Sequence, residues 1–192
     1  MKPLLFLGSS LLAALVLGIG MGWWTVAGSG SEAIEFGSWK FYPLVGSSAA
    51  SDVLRAKIAR VGLLALHRSE AIYFIADRDD DGESLRRDCP YRLEGRSVDA
   101  RWWSVTAYAD DLDLIPNPLN RYSYNDVNVA KEPDGAWTIH LSGSEKEGNW
   151  IPTGGEGRFD LALRIYDPAP SISKDLGAIE LPRIVREGCP DR

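Results

Sequence analysis

The chain has 192 residues, of which 45% are hydrophobic, and its formal net charge is −6. Once an apolar N-terminal segment is set aside, about 160 residues remain, which suits one domain with a single core and leaves little room for two. The acidic balance provides no positive field for phosphate backbones, so we do not expect nucleic acid as a partner.

The first element is an uncharged segment over residues 4–26. As a helix rising about 1.5 Å per residue it would extend roughly 35 Å, enough to cross an apolar bilayer core of ~30 Å. Lys2 precedes this segment and Glu32 follows it, so the positive-inside tendency places the remainder of the chain outside the cytoplasm. The sequence therefore predicts a single-pass inner-membrane anchor over residues 1–27, with the domain in the periplasm. The alternative is a signal peptide cleaved after Ala27.

Two short regions lie between the anchor and the predicted strands. Residues 28–46 begin with Gly-Ser-Gly-Ser, which predicts a flexible tether and entry segment. Over residues 47–68, apolar side chains recur at helical spacing and the charged ones lie mostly off that side, which predicts one amphipathic helix packed against a sheet. Ser48 or Ser51 can cap its start.

From Ala71 onward the hydrophobic pattern alternates with a period of two. Segments rich in β-branched and aromatic residues are separated by turn residues, and they are residues 71–76, 100–108, 136–142 and 159–166. This pattern indicates antiparallel strands with one buried face. We therefore predict a mainly β protein, in which residues 47–192 form a single sandwich or jelly-roll-like domain preceded by one amphipathic helix and an N-terminal transmembrane helix.

The chain contains two cysteines, Cys89 and Cys189. Export would bring both into an oxidising compartment, where disulfides persist. A bridge between positions so far apart would restrict the unfolded chain by about 4 to 5 kcal/mol in the entropy model. We predict this disulfide, with two unrelated thiols as the alternative. Only His67 and His140 could join them in a metal site, which makes zinc a poor interpretation.

Alternating carboxylates at Asp77, Asp79 and Asp81 precede a glycine, as in the opening of a calcium loop. The later part of such a loop does not match, because Asp88 stands where a bidentate glutamate is expected. A polar hairpin turn uses the same residues to form the bend, so we prefer that interpretation and keep calcium as the alternative. We expect no cofactor.

Aromatic and arginine side chains of the predicted strands could form a face that binds a sugar ring or an anionic headgroup. Polar residues in the predicted loops add to the candidates. The candidate ligand-binding residues are Arg101, Trp103, Tyr108, Asn117, Arg121, Asn149, Trp150, Arg164 and Tyr166. The structural alternative is that they belong to the core and the turns. Trp102 and Trp103 face opposite ways on a strand, so at least one of them should be core.

Catalytic chemistry has little support in the sequence, which contains no nucleophile elbow, zincin motif or phosphate loop. We name no catalytic residue. The leading hypothesis is a non-catalytic module of the cell envelope that binds an envelope protein or a glycan. The alternative is a hydrolase acting on an envelope glycan or ester polymer, for which the many acidic side chains could supply a carboxylate pair.

Two stretches of the chain resemble a known bacterial family. The first contains Tyr-Arg-Leu-Glu-Gly and Arg-Trp-Trp-Ser-Val-Thr-Ala-Tyr within residues 91–108, and the second contains Asn-Trp-Ile-Pro and Arg-Ile-Tyr-Asp-Pro within residues 149–168. They are similar to domain-of-unknown-function family 1214, the C-terminal module of larger secreted proteins that also carry family 1254. The helix ahead of them resembles that of short membrane-anchored members lacking the 1254 module. The resemblance implies a β-sandwich, an envelope location and no established activity.

Overall fold

The computed structural model describes residues 2–28, 32–60 and 65–189. The chain divides into two compact units. The first consists of Met1–Glu32 and Leu44–Ala65, and the second of Ala33–Pro43 and Leu66–Arg192.

The first unit is helical. Helix α1 spans Lys2–Gly28, and its segment Leu7–Ala27 is long and apolar enough to cross a membrane. Helix α2 spans Asp52–Arg60. The two helices touch where the guanidinium of Arg60 lies 5.5 Å from the ring centre of Trp23.

Helix α2 begins later than the predicted span of residues 47–68. The hydroxyl of Ser51 accepts a hydrogen bond from the backbone N–H of Leu54 at 3.2 Å, as an N-cap does. Just before it, the hydroxyl of Ser47 accepts from Ala49 N–H and forms a local turn. Serine hydroxyls compete with helical hydrogen bonds in this way, so the turn replaces the first predicted helical residues. Residues 61–64 lie outside the described part of the chain, and residues 65–67 are not helical.

The second unit contains ten strands among its described residues and a short helix near its C-terminal end. The strands are β1 (Ile34–Phe36), β2 (Trp39–Phe41), β3 (Ala71–Ala76), β4 (Tyr91–Arg96), β5 (Ala100–Ala109), β6 (Ser123–Asn125), β7 (Ala136–Ser142), β8 (Asn149–Pro152), β9 (Phe159–Pro168) and β10 (Arg183–Arg186). The helix is α3 (Pro170–Lys174), and a 3₁₀ turn at Leu176–Ala178 follows it. The four predicted strands are confirmed as β3, β5, β7 and β9. Strands β1 and β2 form within the region expected to be an entry segment.

The strands form two sheets. The larger sheet has the order β1-β2-β3-β9-β5-β6, and the smaller has the order β10-β4-β7-β8. All neighbouring strands pair antiparallel except β7 and β8, which are parallel. Parallel neighbours usually need a connection of a dozen or more residues, yet here residues 143–148 suffice.

The core lies between the two sheets. Its buried side chains form one continuous cluster to which both sheets contribute. Trp103 of β5 stacks on Trp137 of β7 with ring centres 4.9 Å apart, and Tyr91 of β4 meets Phe159 of β9 edge to face at 5.7 Å. Ring contacts of this kind add to the free energy gained from burying the aromatic surface. The predicted mainly β, antiparallel sandwich class is confirmed.

The disulfide is also confirmed. Cys89 precedes β4 and Cys189 follows β10, and their sulfur atoms are bonded with the Cα atoms 4.5 Å apart. Because β4 and β10 are paired strands, the bridge fixes residues near the C-terminal end of the chain to the edge of the smaller sheet. Cys89 is 1% exposed, so the bond belongs to the core.

Candidate functional site

The larger sheet has one face in the core and an opposite face that carries polar and aromatic side chains. On β9, Leu161, Leu163 and Ile165 are fully buried in the core, so the alternating residues point the other way. The strands on either side, β3 and β5, alternate in the same manner. The residues of this opposite face, which we call the outer face, include Tyr73, Trp102, Ser104, Thr106, Tyr108, Asp160, Ala162, Arg164 and Tyr166.

Arg164 lies at the centre of the outer face. It pairs across the sheet with Tyr73 on one side and Ser104 on the other. Its Nη1 donates to Oγ1 of Thr106 at 3.2 Å, and its Nη2 donates to the hydroxyl of Tyr108 at 2.8 Å. The guanidinium also lies 5.3 Å from the ring centre of Tyr108, within range for a cation–π interaction. Two neighbours on β5 therefore fix the direction of this half-buried cation.

No carboxylate neutralises Arg164 among the described residues. The ion pairs formed between those residues involve other arginines and lysines. A half-buried charge without a counter-ion loses part of its hydration without a compensating ion pair. Here hydroxyl groups and one ring take the place of a counter-ion.

An aromatic pair borders the arginine on the outer face. The rings of Trp102 and Tyr166 lie opposite each other on β5 and β9, with centres 5.3 Å apart and planes inclined by 52°. Both side chains are half-buried and retain some exposed surface. Tyr166 is two residues from Arg164 on the same strand, which is a distance of roughly 7 Å. The outer face thus combines a ring surface with a cation.

Asp160 lies at the other end of the outer face, opposite Tyr108. Burial and the neighbouring carboxylate of Asp77 raise the pKa of Asp160 to about 6, while Lys40 acts in the opposite direction. The ammonium of Lys40 is held by both oxygens of Asp77, at 2.6 and 2.7 Å. Asp160 therefore exists partly as a neutral acid near pH 6 and can donate a hydrogen bond in that form.

Burial also affects Tyr73, which faces Arg164 from β3. It raises the pKa of the Tyr73 hydroxyl, and the backbone N–H of Leu66 and the charge of Arg164 oppose that shift. The hydroxyl accepts a hydrogen bond from that N–H at 3.4 Å. Tyr73 therefore remains a neutral phenol at physiological pH, with its own proton available for donation.

The structure brings three of the predicted ligand-binding residues together on the outer face, namely Tyr108, Arg164 and Tyr166. It places the other six elsewhere, and two of these six belong to β5. Trp103 is 1% exposed and donates its indole N–H to Asp126 at 3.1 Å, so it is a core residue. Arg101 is 77% exposed at the start of β5, where it lies 3.8 Å from Asp167.

The loop candidates Asn117 and Arg121 make local structural contacts. The amide of Asn117 donates to two backbone carbonyls and accepts from two backbone N–H groups within residues 115–121. Arg121 donates to the carbonyl oxygen of Trp150 at 3.3 Å. Asn117 organises its own turn, and Arg121 ties that turn to β8.

Asn149 and Trp150 are both buried to 7% exposure in β8. The amide of Asn149 bonds the backbone N–H and carbonyl of Ala130 and the carbonyl of Thr138. The indole N–H of Trp150 donates to the carbonyl of Ser142 at 3.1 Å. Every polar atom of these two side chains is thus directed to the backbone, and they hold β8 against β7 and the preceding loop.

Two carboxylates of the acidic turn, Asp77 and Asp79, have cationic or backbone N–H partners within the protein. Asp77 pairs with Lys40. Asp79 is 2% exposed; one of its oxygens accepts from two N–H groups of the turn, and the other accepts from Arg186 at 2.7 Å. Gly82 has φ +84°, which the bend requires. Within residues 2–28, 32–60 and 65–189, no group of three or more His, Cys, Asp or Glu side chains is placed to hold a metal ion.

A separate surface cleft of about 630 Å³ lies beside this turn. The β1–β2 hairpin, the acidic turn and residues 181–183 line it. Its polar side chains largely satisfy one another, because Ser38 donates to Asp80 at 2.6 Å and Arg183 lies 3.5 Å from the same carboxylate. The outer face, with its unneutralised arginine, is the stronger candidate site.

The members of the outer face that the candidate list missed include Tyr73, Thr106 and Asp160. Each of them occupies an outward position of a strand that the sequence predicted. The alternation that placed Leu161, Leu163 and Ile165 inside could therefore have placed all three outside. What the sequence could not supply was the register that sets β3, β9 and β5 side by side.

These features define a two-sheet β-sandwich with a polar, aromatic outer face. A family model described as "Protein of unknown function (DUF1214)" matches residues 70–170, and the chain belongs to this family. The named residues of the outer face lie within the matched segment. No curated protein matches the chain.

The solved structures that match the chain include the following two. The VPA0106 protein from Vibrio parahaemolyticus is 28% identical with a TM-score of 0.59, and the match covers 73% of this chain and 36% of that one. An uncharacterised protein from Burkholderia cenocepacia is 18% identical with a TM-score of 0.40, covering 64% of this chain and 31% of the other. The chain thus spans about a third of the length of either protein. The first match supports the sandwich fold.

Proposed function

We propose that this chain is a membrane-anchored domain of the bacterial cell envelope that binds a polar ligand on its outer face without transforming it. The ligand is a glycan or a segment of an envelope protein. The unneutralised, half-buried Arg164 beside a pair of aromatic rings is the observation that carries the proposal, because such an arrangement is suited to recognition.

Two features support an envelope location. Helix α1 contains the apolar segment Leu7–Ala27, which could anchor the chain in the inner membrane. The Cys89–Cys189 bond fits an oxidising space such as the periplasm. The resemblance of the helical region before β3 to short, membrane-anchored members supports the further proposal that this is a form without the 1254 module.

A topology experiment tests the location. Alkaline phosphatase fused to the C-terminal end of the full chain should be active in cells, because that enzyme needs oxidising conditions to form its own disulfides. A cytoplasmic green fluorescent reporter at the same position should give the opposite result. An inactive phosphatase fusion with a fluorescent partner would refute the periplasmic location.

A binding experiment tests the outer face. The full chain in nanodiscs is presented to envelope glycans and to envelope extract. We expect retention by the wild type and loss in an Arg164→Gln, Trp102→Ala double variant whose thermal unfolding is unchanged. Arg101→Gln, which alters an exposed arginine off this face, is the matched control. Equal retention by all three proteins would remove the outer face from consideration.

A hydrolase is the second candidate function, and Asp160 is the observation that favours it. Its pKa of about 6, beside the carboxylate of Asp77, is a property of general acids in carboxylate-pair enzymes. Purified full chain tested on glycosidic and ester substrates should then show activity that Asp160→Asn abolishes. Inactivity of the wild type across such a panel would leave binding as the function.

A further inference from the structure

We infer that Arg164 is the centre of an oxyanion-binding site and that the ligand of the outer face is an acidic sugar, carrying a carboxylate or a phosphate group. This inference rests on the proposed function and names its ligand class.

The first argument is the number of free donors. A guanidinium has five N–H groups, and the bonds to Thr106 and Tyr108 use two of them. The other donors remain for a partner, since no carboxylate of the described residues pairs with Arg164. Planar oxyanions such as carboxylate, and the tetrahedral phosphate, accept paired N–H bonds from this group.

The second argument concerns the two hydroxyls. Thr106 and Tyr108 accept hydrogen bonds from Arg164, so the oxygen of each is used as an acceptor towards the cation. Each hydroxyl keeps its own proton, and that proton can be donated only away from the guanidinium. The cation and the hydroxyls therefore present donors together, and a ligand atom between them must be an acceptor. A negatively charged oxygen satisfies this arrangement best.

The third argument is the charge around the site. Of the acidic groups towards the other end of the face, Asp77 is paired with Lys40, and burial raises the pKa of Asp160 to about 6. The charges of Asp77, Lys40 and Asp110 act on Asp160 there. None of them forms an ion pair with Arg164, so an incoming anion replaces no internal partner.

The fourth argument selects a sugar as the carrier of the anion. The tilted rings of Trp102 and Tyr166 lie beside Arg164 and are partly exposed. Ring faces of this kind contact the C–H groups of a pyranose, while a cation at their border takes the acidic substituent. An acidic sugar unit satisfies both parts of the surface at once.

The test compares matched probes on the full chain in nanodiscs of neutral phosphatidylcholine. Glucose, glucuronate and glucose 6-phosphate differ in charge while sharing the ring, and inorganic phosphate lacks the ring. By titration calorimetry we expect one or both acidic sugars to bind at least about tenfold more tightly than glucose. The ratio between glucuronate and glucose 6-phosphate tells which anion the site prefers. Added salt should weaken acidic-sugar binding.

Variants locate the effect. Arg164→Gln should abolish the preference for charge, Arg164→Lys should keep part of it because it retains the charge but loses the paired geometry, and Arg101→Gln should keep all of it. If Arg164→Gln fails to fold, Tyr108→Phe decides: it removes one hydroxyl and should reduce acidic-sugar affinity by several-fold.

The outcomes separate this inference from the proposed function. Equal binding of glucose and both acidic sugars to the wild type would overturn the acidic-sugar assignment and leave a neutral-glycan module. An intact preference for charge in Arg164→Gln would overturn the role of Arg164. A third outcome is that the wild type retains an envelope protein and binds no sugar, with Trp102→Ala abolishing that retention. This result would support a binding module and overturn the assignment of an acidic sugar as its ligand.

Discussion

Gly95 on β4 lies directly against the indole of Trp137 on β7. The two residues are cross-strand partners, and a Cβ atom added to Gly95 would lie 2.4 Å from an atom of that ring. Trp137 in turn stacks on Trp103 of the other sheet. Because glycine has no side chain, position 95 leaves room for the Trp137 ring, which stacks on Trp103 and so connects the two sheets.

Gly95→Ala should destabilise the domain by about 2 to 3 kcal/mol, because the added methyl group displaces a fully packed ring. Gly82→Ala is the control: its φ of +84° costs about 1 kcal/mol for a side chain, but nothing lies within 4 Å of the new atom. Urea unfolding of both variants measures the difference. A smaller loss for Gly95→Ala than for Gly82→Ala would show that the Trp137 ring moves aside freely.

Asn149→Ala should cost about 2 to 3 kcal/mol, because it leaves backbone groups of Ala130 and Thr138 buried without partners. Asn128→Ala, at an exposed position that accepts one backbone hydrogen bond, should cost less than half as much. The folded fraction of Asn149→Ala should still bind any ligand that the wild type binds. Loss of binding at unchanged stability would restore Asn149 as a ligand-binding residue.

Reduction of the Cys89–Cys189 bond should lower the free energy of unfolding by about 4 to 5 kcal/mol in the chain-entropy model, since the bonded residues are separated by 100 positions. Chemical unfolding of the wild type with and without reductant measures the loss, and a Cys89→Ala, Cys189→Ala double variant should reproduce it. Alkylation without reductant should leave the mass of the native chain unchanged. A shift of two alkyl groups would show that the thiols are free.

Asp160→Asn should stabilise the protein at pH 7 to 8. The pKa of Asp160 is raised to about 6 in the folded state and is about 3.9 in the unfolded chain. Between these values the folded state binds more protons, so wild-type stability falls as pH rises from about 4 to 6. The gain in Asp160→Asn should be about 1 to 2 kcal/mol after allowing for partial solvent screening.

The same variant should show almost no gain near pH 3.5, where the carboxyl group is mostly neutral in both states. Asp81→Asn, at an exposed position of the acidic turn, should show little gain at either pH. Thermal unfolding across this pH range checks the prediction. A constant difference between Asp160→Asn and wild type from pH 3.5 to 8 would mean that Asp160 does not titrate near pH 6.

The sequence correctly predicted the strands in which apolar and polar residues alternate. Its prediction was wrong where a side chain forms a hydrogen bond with the nearby backbone. Strands β3 and β7 have the predicted bounds, and buried and partly exposed residues alternate along most of each strand. The first helical residues were wrong because a serine hydroxyl forms a competing turn. The parallel β7–β8 pair was not foreseen, since its short connection carries no crossover helix.

The sequence predicted which types of residue form the candidate site, but it identified only some of the residues themselves. The pairing of arginine with aromatic residues suggested a recognition surface, and the structure places Arg164, Tyr108 and Tyr166 on one face of the larger sheet. Asn149 and Trp150 could not be separated from ligand-binding residues by sequence, because their roles depend on buried carbonyls of distant residues. The assignment of Trp102 to the outer face and Trp103 to the core required the register of β5.

The bond between Cys89 and Cys189 also determines whether the chain stays in one piece after proteolytic cleavage. It encloses strands β4 to β10 in one covalent loop. A protease that cuts any turn within that loop leaves the two fragments joined by the disulfide, so the nicked chain remains one molecule until a reductant breaks that bond. Because Cys89 is buried, reductants reach the bond slowly. The cleaved domain therefore keeps Tyr108, Arg164 and Tyr166 together on the outer face.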